Sequence, residues 1–421
     1  MTTFELSVLF FLQVGVILAA CRLVGVAMPK VGQPPVVSEM VTGVVLGPSV
    51  FGALLPAWQA ALFPAASMPV LFVVAQLGLA LYMFLVGVEF RVDLFRQRVP
   101  SAVSVSTTGI VVPFSLGALI AMAIHADGTM FGGAVTAAQG ALYLGAAMSI
   151  TAFPMLARIV HERGLSGTSL GTLALAAGAI DDAVAWCVLA IVLASLGNAP
   201  AIAVAAIAGG VLYALTVLLG LRPALAPLAR QVEQRGAMSS TELSVVLVLV
   251  MLGSWFTDRI GIYSVFGAFV LGTVMPRGVF GDELQRRLAP LTTGLLLPIF
   301  FVYSGLNTKI GLVSTWYLAG VAALVLVAAC VGKGVACWLA ARLNGEPPRQ
   351  AMAVGALMNT RGLIELIALN IGYERGIITQ TLFSIMVLMA LATTLMATPL
   401  FELAYGRLGR RAGTVGPVRA D

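Results

Sequence analysis

From Leu170 to Leu196 the chain carries only two charges, the adjacent carboxylates Asp181 and Asp182, in a run long enough to cross a bilayer as one helix. Lipid offers no partner for backbone N–H and C=O groups, so a spanning segment must be an α-helix or part of a closed barrel, and about 20 apolar residues is the helical length. The whole chain repeats this pattern: 60% of its 421 residues are hydrophobic, 10% are charged and 45 are glycine, more apolar surface than a water-soluble core requires. The fold class expected is an all-α polytopic membrane protein. A charge at the centre of a membrane helix costs about 3 kcal/mol on insertion scales, so two in succession point to function, the alternative being a buried polar knot between helices. Neighbouring residues on a helix lie about 100° apart, so Asp181 and Asp182 face different surroundings. They cannot form the face-to-face dyad that an intramembrane aspartyl protease draws from two helices.

Apolar runs predict thirteen crossings, at about 4–27, 36–54, 68–88, 101–124, 139–160, the aspartate segment, 199–219, 240–256, 262–274, 291–306, 316–339, 351–371 and 380–403. The second carries Gly43 and Gly47, a small-xxx-small face suited to close helix contact. The first 27 residues lack a basic leader and a small-residue cleavage site, so a retained helix is expected. Cys21, Cys187, Cys330 and Cys337 show neither CxxC nor metal-ligand spacing, and His125 and His161 are the only histidines. No disulfide framework, transition metal or cofactor is expected. A net charge of +6 is scattered through short loops, which fits topology rather than a nucleic-acid surface.

With thirteen crossings the loops alternate between two faces. One face collects nearly all the basic residues, including Lys30 and the tail arginines Arg407, Arg410 and Arg411; the other holds only Arg259, Lys309 and Arg375. The positive-inside rule therefore predicts an external N-terminus and a cytoplasmic C-terminus in the cell's inner (plasma) membrane. If the seventh helix is a linker, helices 1–6 and 8–13 form inverted repeats of six. The fifth and twelfth helices then correspond, and both are interrupted mid-membrane, one at Ser149-Ile150-Thr151-Ala152-Phe153-Pro154 and the other at Asn359-Thr360-Arg361-Gly362. Matching interruptions point to a secondary transporter, because broken helices are tolerated only around a protein-lined or watery cavity.

Oxygen-bearing residues at these breaks complete a candidate site. Asp181 and Asp182 with Ser149, Thr151, Asn359 and Thr360 form a hard oxygen set suited to Na⁺ or K⁺. Lys333 lies nine residues before Arg342, about 13 Å from the inner end, too deep to reach water easily, which makes it a partner for the aspartates. Arg361 and Glu365, four residues apart, suit either mutual neutralisation beside the break or a part in coupling. Glu39 and Glu89, lone carboxylates near helix ends, suit scaffold or vestibule roles. A carboxylate unable to hold a proton and a cation together would enforce exchange. A cation channel is the less favoured alternative, since no filter motif or ring of like residues appears.

Asn359 to Leu366 (Asn-Thr-Arg-Gly-Leu-Ile-Glu-Leu), Ile385 to Ala390, Thr393-Thr394, Ser149 to Pro154, the aspartate segment, Gly267-Ala268-Phe269 and Pro298-Ile299-Phe300-Phe301 occur in order along the chain. Together they resemble the transport region of the plant cation/proton exchangers, within the monovalent cation:proton antiporter-2 family, over residues 34–403. The resemblance implies a K⁺ or Na⁺:proton antiporter and no enzymatic activity, with the selectivity open. Asp182 would bind the cation and the proton, and Asp181 would pair with Lys333 when the site is empty. It also implies a homodimer in which core helices (about 101–197 and 314–403) move like an elevator against a dimerisation scaffold (about 4–90 and 199–306). The transport domain would occupy 1–403, and 404–421 would be a short basic cytoplasmic tail without the larger relatives' regulatory domain.

Overall fold

The computed structural model describes residues 2–28, 35–90, 92–197, 200–306, 315–361 and 363–405. Lys30, Lys309, Gly362 and the tail from 406 onward, all used in the topology and break assignments above, lie outside the described residues. Nearly everything described is helical: α1 (Thr3–Ala27), α2 (Pro35–Leu46), α3 (Phe51–Leu54), α4 (Pro56–Leu62), α5 (Met68–Glu89), α6 (Val92–His125), α7 (Ala137–Ser149), α8 (Phe153–Glu162), α9 (Ser169–Gly197), α10 (Pro200–Leu215), α11 (Arg222–Arg235), α12 (Ser240–Arg259), α13 (Ser264–Thr273), α14 (Val279–Leu291), α15 (Leu297–Leu306), α16 (Trp316–Ala329), α17 (Ala336–Leu343), α18 (Pro348–Met358), α19 (Leu363–Glu374) and α20 (Gln380–Tyr405). Short π-helical stretches at Thr216–Leu221, Thr292–Leu296 and Cys330–Val335 join α10 to α11, α14 to α15 and α16 to α17.

Local chemistry explains several boundaries. Thr2 with Glu5, Thr136 with Gln139 and Ser239 with Glu242 form reciprocal capping boxes that satisfy the first orphan N–H groups of α1, α7 and α12. The break after α7 follows from Pro154, which has no N–H to donate to the carbonyl four residues back, at Ile150. Ile150 is extended, and α8 restarts at Phe153 with the proline in its first turn, where a missing donor costs nothing.

Among the described residues, ten helical stretches are long and apolar enough to cross a membrane. The other three expected crossings are helical but fall short, so length and composition do not establish thirteen. α13 has only 10 residues, α15 is a 10-residue apolar piece behind the charged α14, and α18 and α19 are separated by the second break. Two rods also run beyond their predicted ends, to Arg235 instead of 219 and from Val279 instead of 291. Apolar runs mark where a helix is buried in lipid, whereas these extensions are amphipathic and stay helical past the last apolar residue.

Two sets of helices pack mainly among themselves. α6, α7, α9, α17, α18 and α20 form one; α2, α5, α12, α13 and α15, with α1 against α2, form the other. Glycine closeness drives the second set: a Cβ on Gly43 of α2 would lie 2.9 Å from the Cα of Gly305 on α15, so the backbones touch where the small-residue face predicts. Loops assigned to one face by the alternation meet one another. Thr379 N–H donates to Met130 C=O (3.0 Å) and Gly132 N–H to Ile377 C=O (3.1 Å), while on the other face Arg98 pairs with the buried Glu346 at 2.7 Å.

Candidate functional site

The two breaks meet each other. Ala152 N–H, in the first, donates to Thr360 C=O, in the second, at 3.1 Å, so the crossed half-helices share a backbone hydrogen bond in the interior. Tyr143 on α7 adds a second tie, its hydroxyl donating to Ala368 C=O on α19 at 2.8 Å. Breaking two helices leaves carbonyls at the C-terminal end of α7 without helical donors, and that end carries the negative pole of the helix dipole. Two cations occupy it. Arg361 donates to Met148 C=O (2.6 Å) and Ile150 C=O (3.4 Å), and the Lys333 ammonium donates to Ser149 C=O. Ile150 is the carbonyl that Pro154 cannot serve.

Asp181 on α9 approaches the same point. Its Oδ2 lies 2.6 Å from Lys333 Nζ and also accepts from the Thr151 hydroxyl; both charged side chains are fully buried. Lys333 reaches it from the π-helical stretch between α16 and α17, a local widening that turns side chains off the regular α register. Gly109 of α6 makes the room: a Cβ there would meet Cys337 Sγ at 2.8 Å and Asp181 Oδ1 at 3.8 Å. Sequence reasoning did not single out Gly109 or Cys337, and one glycine among 45 carried no signal that would have found it.

Asp182 is different. It is 2% exposed, and its Oδ1 has no hydrogen-bond partner among the described residues. Asp181 Oδ1 and Asn359 Oδ1 are likewise buried and unpartnered, whereas the Asn359 amide points at Cys330 Sγ (3.7 Å). An unpaired carboxylate in a low-dielectric interior must hold a proton or a cation, because desolvating it bare costs several kcal/mol.

The other expected lining groups use their protons within the protein and keep their oxygen lone pairs. The Ser149 hydroxyl donates to Ala146 C=O (2.7 Å), and the Ser149 carbonyl accepts from Lys333. The Thr360 hydroxyl donates to Leu357 C=O (2.8 Å), and that of Thr151 is given to Asp181. Arg361 contacts Glu365 at 3.4 Å and also donates to Met148 C=O at 2.6 Å, so one guanidinium both neutralises Glu365 and caps the first break. Thr394 on α20, noted in the sequence only as half of a threonine pair, clasps the second break: its hydroxyl receives Arg361 N–H (3.3 Å) and donates to Ala390 C=O (2.8 Å).

Crossed interrupted helices with a buried acid pair and a buried counter-cation define a polytopic membrane protein of transporter type. Residues 15–403 match the family described as sodium/hydrogen exchanger, transmembrane, and the chain belongs to that family. It is 38% identical over 93% of its length to the Na(+)/H(+) antiporter NhaS4 of Synechocystis, covering 95% of that protein. It is 37% identical to cation/H(+) antiporter 20 of Arabidopsis thaliana and 32% identical to K(+)/H(+) antiporter 1 of Saccharomyces cerevisiae, in each case over 94% of this chain. It spans about half the length of those two relatives, 48% and 46%. Among solved structures, the sodium proton antiporter MjNhaP1 of Methanocaldococcus jannaschii shares the fold, with a TM-score of 0.54 over 96% of this chain and 99% of that one, at 15% identity.

Proposed function

We propose that the chain exchanges a monovalent cation, Na⁺ or K⁺, for protons by alternating access, with Asp182 as the carrier. One observation carries this reading: of two adjacent buried carboxylates, Asp181 is neutralised by Lys333 while Asp182 Oδ1 has no partner among the described residues. Asp182 is therefore the group that must take up a proton or a cation, and it cannot hold both. Asp181 Oδ1, on the adjacent residue, and Asn359 Oδ1, at the second break, are further buried oxygens without a hydrogen-bond donor among the described residues, and they are our candidates to complete the cation's ligands. A cation entering there competes with Lys333 for Asp181, which couples occupancy to the charge pair. Relatives named for Na⁺ and for K⁺ both cover nearly all of this chain, so selectivity is a measurement to be made on it.

The two packing sets support a division into a moving core, about 101–197 and 314–403, and a scaffold, about 4–90 and 199–306, that would also hold a homodimer together. Loop charge supports a cytoplasmic C-terminus in the plasma membrane. The test is reconstitution: in proteoliposomes carrying a pH-sensitive dye, NaCl or KCl pulses should drive proton movement through the wild type and not through Asp182→Asn. Exchange by Asp182→Asn at wild-type rate removes the carrier assignment; flux that neither saturates nor couples to pH indicates a channel.

A further inference from the structure

α8 runs from the first break out toward one face of the protein, and its side chains lie in the seam between the two packing sets, against α2 and α5. Arg158 sits seven residues beyond Thr151, about 10 Å further along the half-helix, so it stands between the aspartates and that face. It is 8% exposed and carries two acidic contacts of unequal strength. Its Nε donates to Glu162 on its own helix at 2.6 Å, while across the seam its Nη2 lies 3.8 Å from Oε1 of Glu39 on α2. The other oxygen of Glu39 is buried without a hydrogen-bond partner among the described residues, as is the hydroxyl of Tyr82 on α5. Arg22 on α1 completes the charges that act on Glu39.

We propose that Glu39 is a second cation site, a docking carboxylate on the scaffold for the transported Na⁺ or K⁺, plugged in the present state by Arg158. When the core moves, Arg158 leaves with its Glu162 bond intact, so only the weak seam contact is lost. Glu39 then faces the opened mouth without Arg158. In the closed state the same guanidinium bars the passage sterically and repels cations. This rests on the alternating-access reading, and the experiment separates the two.

Half-saturation by NaCl and by KCl is measured from each face in vesicles of known orientation. On the α8 face, Glu39→Gln should raise it about fivefold and Glu39→Asp, which keeps the charge, should leave it within about twofold. Arg158→Gln, which frees Glu39, should lower it. The opposite face should stay within about twofold in every variant. Glu39→Gln and Arg158→Gln moving in the same direction, or reciprocal shifts on the two faces, would show a structural latch and overturn the site. If Arg158→Gln does not fold, equal effects of Glu39→Gln and Glu39→Asp overturn it instead. Failure of the antiporter reading looks different: the wild type would show no cation-dependent proton flux from either face.

Discussion

Lys333 and Asp181 offer the sharpest test of how charge is balanced in the interior. Both side chains are fully buried, 2.6 Å apart, and Lys333 has one further acceptor, Ser149 C=O. Lys333→Met keeps the apolar length and removes the charge, leaving Asp181 with the Thr151 hydroxyl alone; stranding one member of a buried pair costs about 3 to 5 kcal/mol. Asp181→Asn strands the ammonium at similar cost. Replacing both leaves no stranded charge, and the residual loss is about 1 kcal/mol for the Ser149 bond. The double variant should therefore be more stable than either single one, a non-additivity of several kcal/mol.

Thermal unfolding in detergent, followed by tryptophan fluorescence or by loss of the monodisperse peak, gives the order of the four proteins. The expected ranking is wild type, then the double variant, then both single variants well below. Acidic buffer should narrow the deficit of Lys333→Met, since a protonated Asp181 is no longer stranded, and should not narrow that of Asp181→Asn. Additive losses at neutral pH would refute the reasoning, showing that the two groups do not depend on each other in the folded protein.

Asp182→Asn should leave the unfolding temperature near that of the wild type, since the carboxylate has no hydrogen bond at Oδ1 to lose, while cation-driven proton movement disappears; a large drop in stability would mark a structural acid. Gly109→Ala should destabilise by about 1 to 3 kcal/mol, as overpacking does, because its Cβ would press on Cys337 Sγ at 2.8 Å. Adding Cys337→Ala should recover most of that loss, and no recovery would mean the strain lies elsewhere. A reporter fused to the C-terminus should be active in the cytoplasm and one at the N-terminus outside; both on one side would rule out an odd number of crossings.

Much of the interior was legible in the sequence because charge in an apolar run is costly enough to be meaningful by itself. Asp181, Lys333 and Arg361 each stand out against uncharged neighbours, and all three converge on the end of α7. The breaks were legible for a related reason, a proline and a polar run where lipid forbids loose backbone. Individual hydroxyls were not. Of the expected lining groups, the hydroxyls of Ser149 and Thr360 donate back to their own helices while that of Thr151 donates to Asp181, and which of these a hydroxyl does depends on rotamers that composition does not specify. Gly109 and the Arg158–Glu39 contact escaped for a third reason: each acquires meaning only from a residue more than a hundred positions away.

The two halves of the chain bring unequal chemistry to the interior. In the N-terminal half Asp181, on α9, holds the first break through the Thr151 hydroxyl; in the C-terminal half Thr394, on α20, holds the second break through Arg361 N–H. One holding group is charged and the other neutral. At the crossing both aspartates come from the N-terminal half, and the two cations at the end of α7, Lys333 and Arg361, come from the C-terminal half. A symmetric assignment would have put like charges together at the crossing, where a low dielectric magnifies repulsion. Dividing these charges lets Lys333 and Arg361, both from the C-terminal half, cap α7 at the first break, while the neutral Thr394 holds the second. One carboxylate, Asp182, is left over from that balance, and an ion pathway needs one such group.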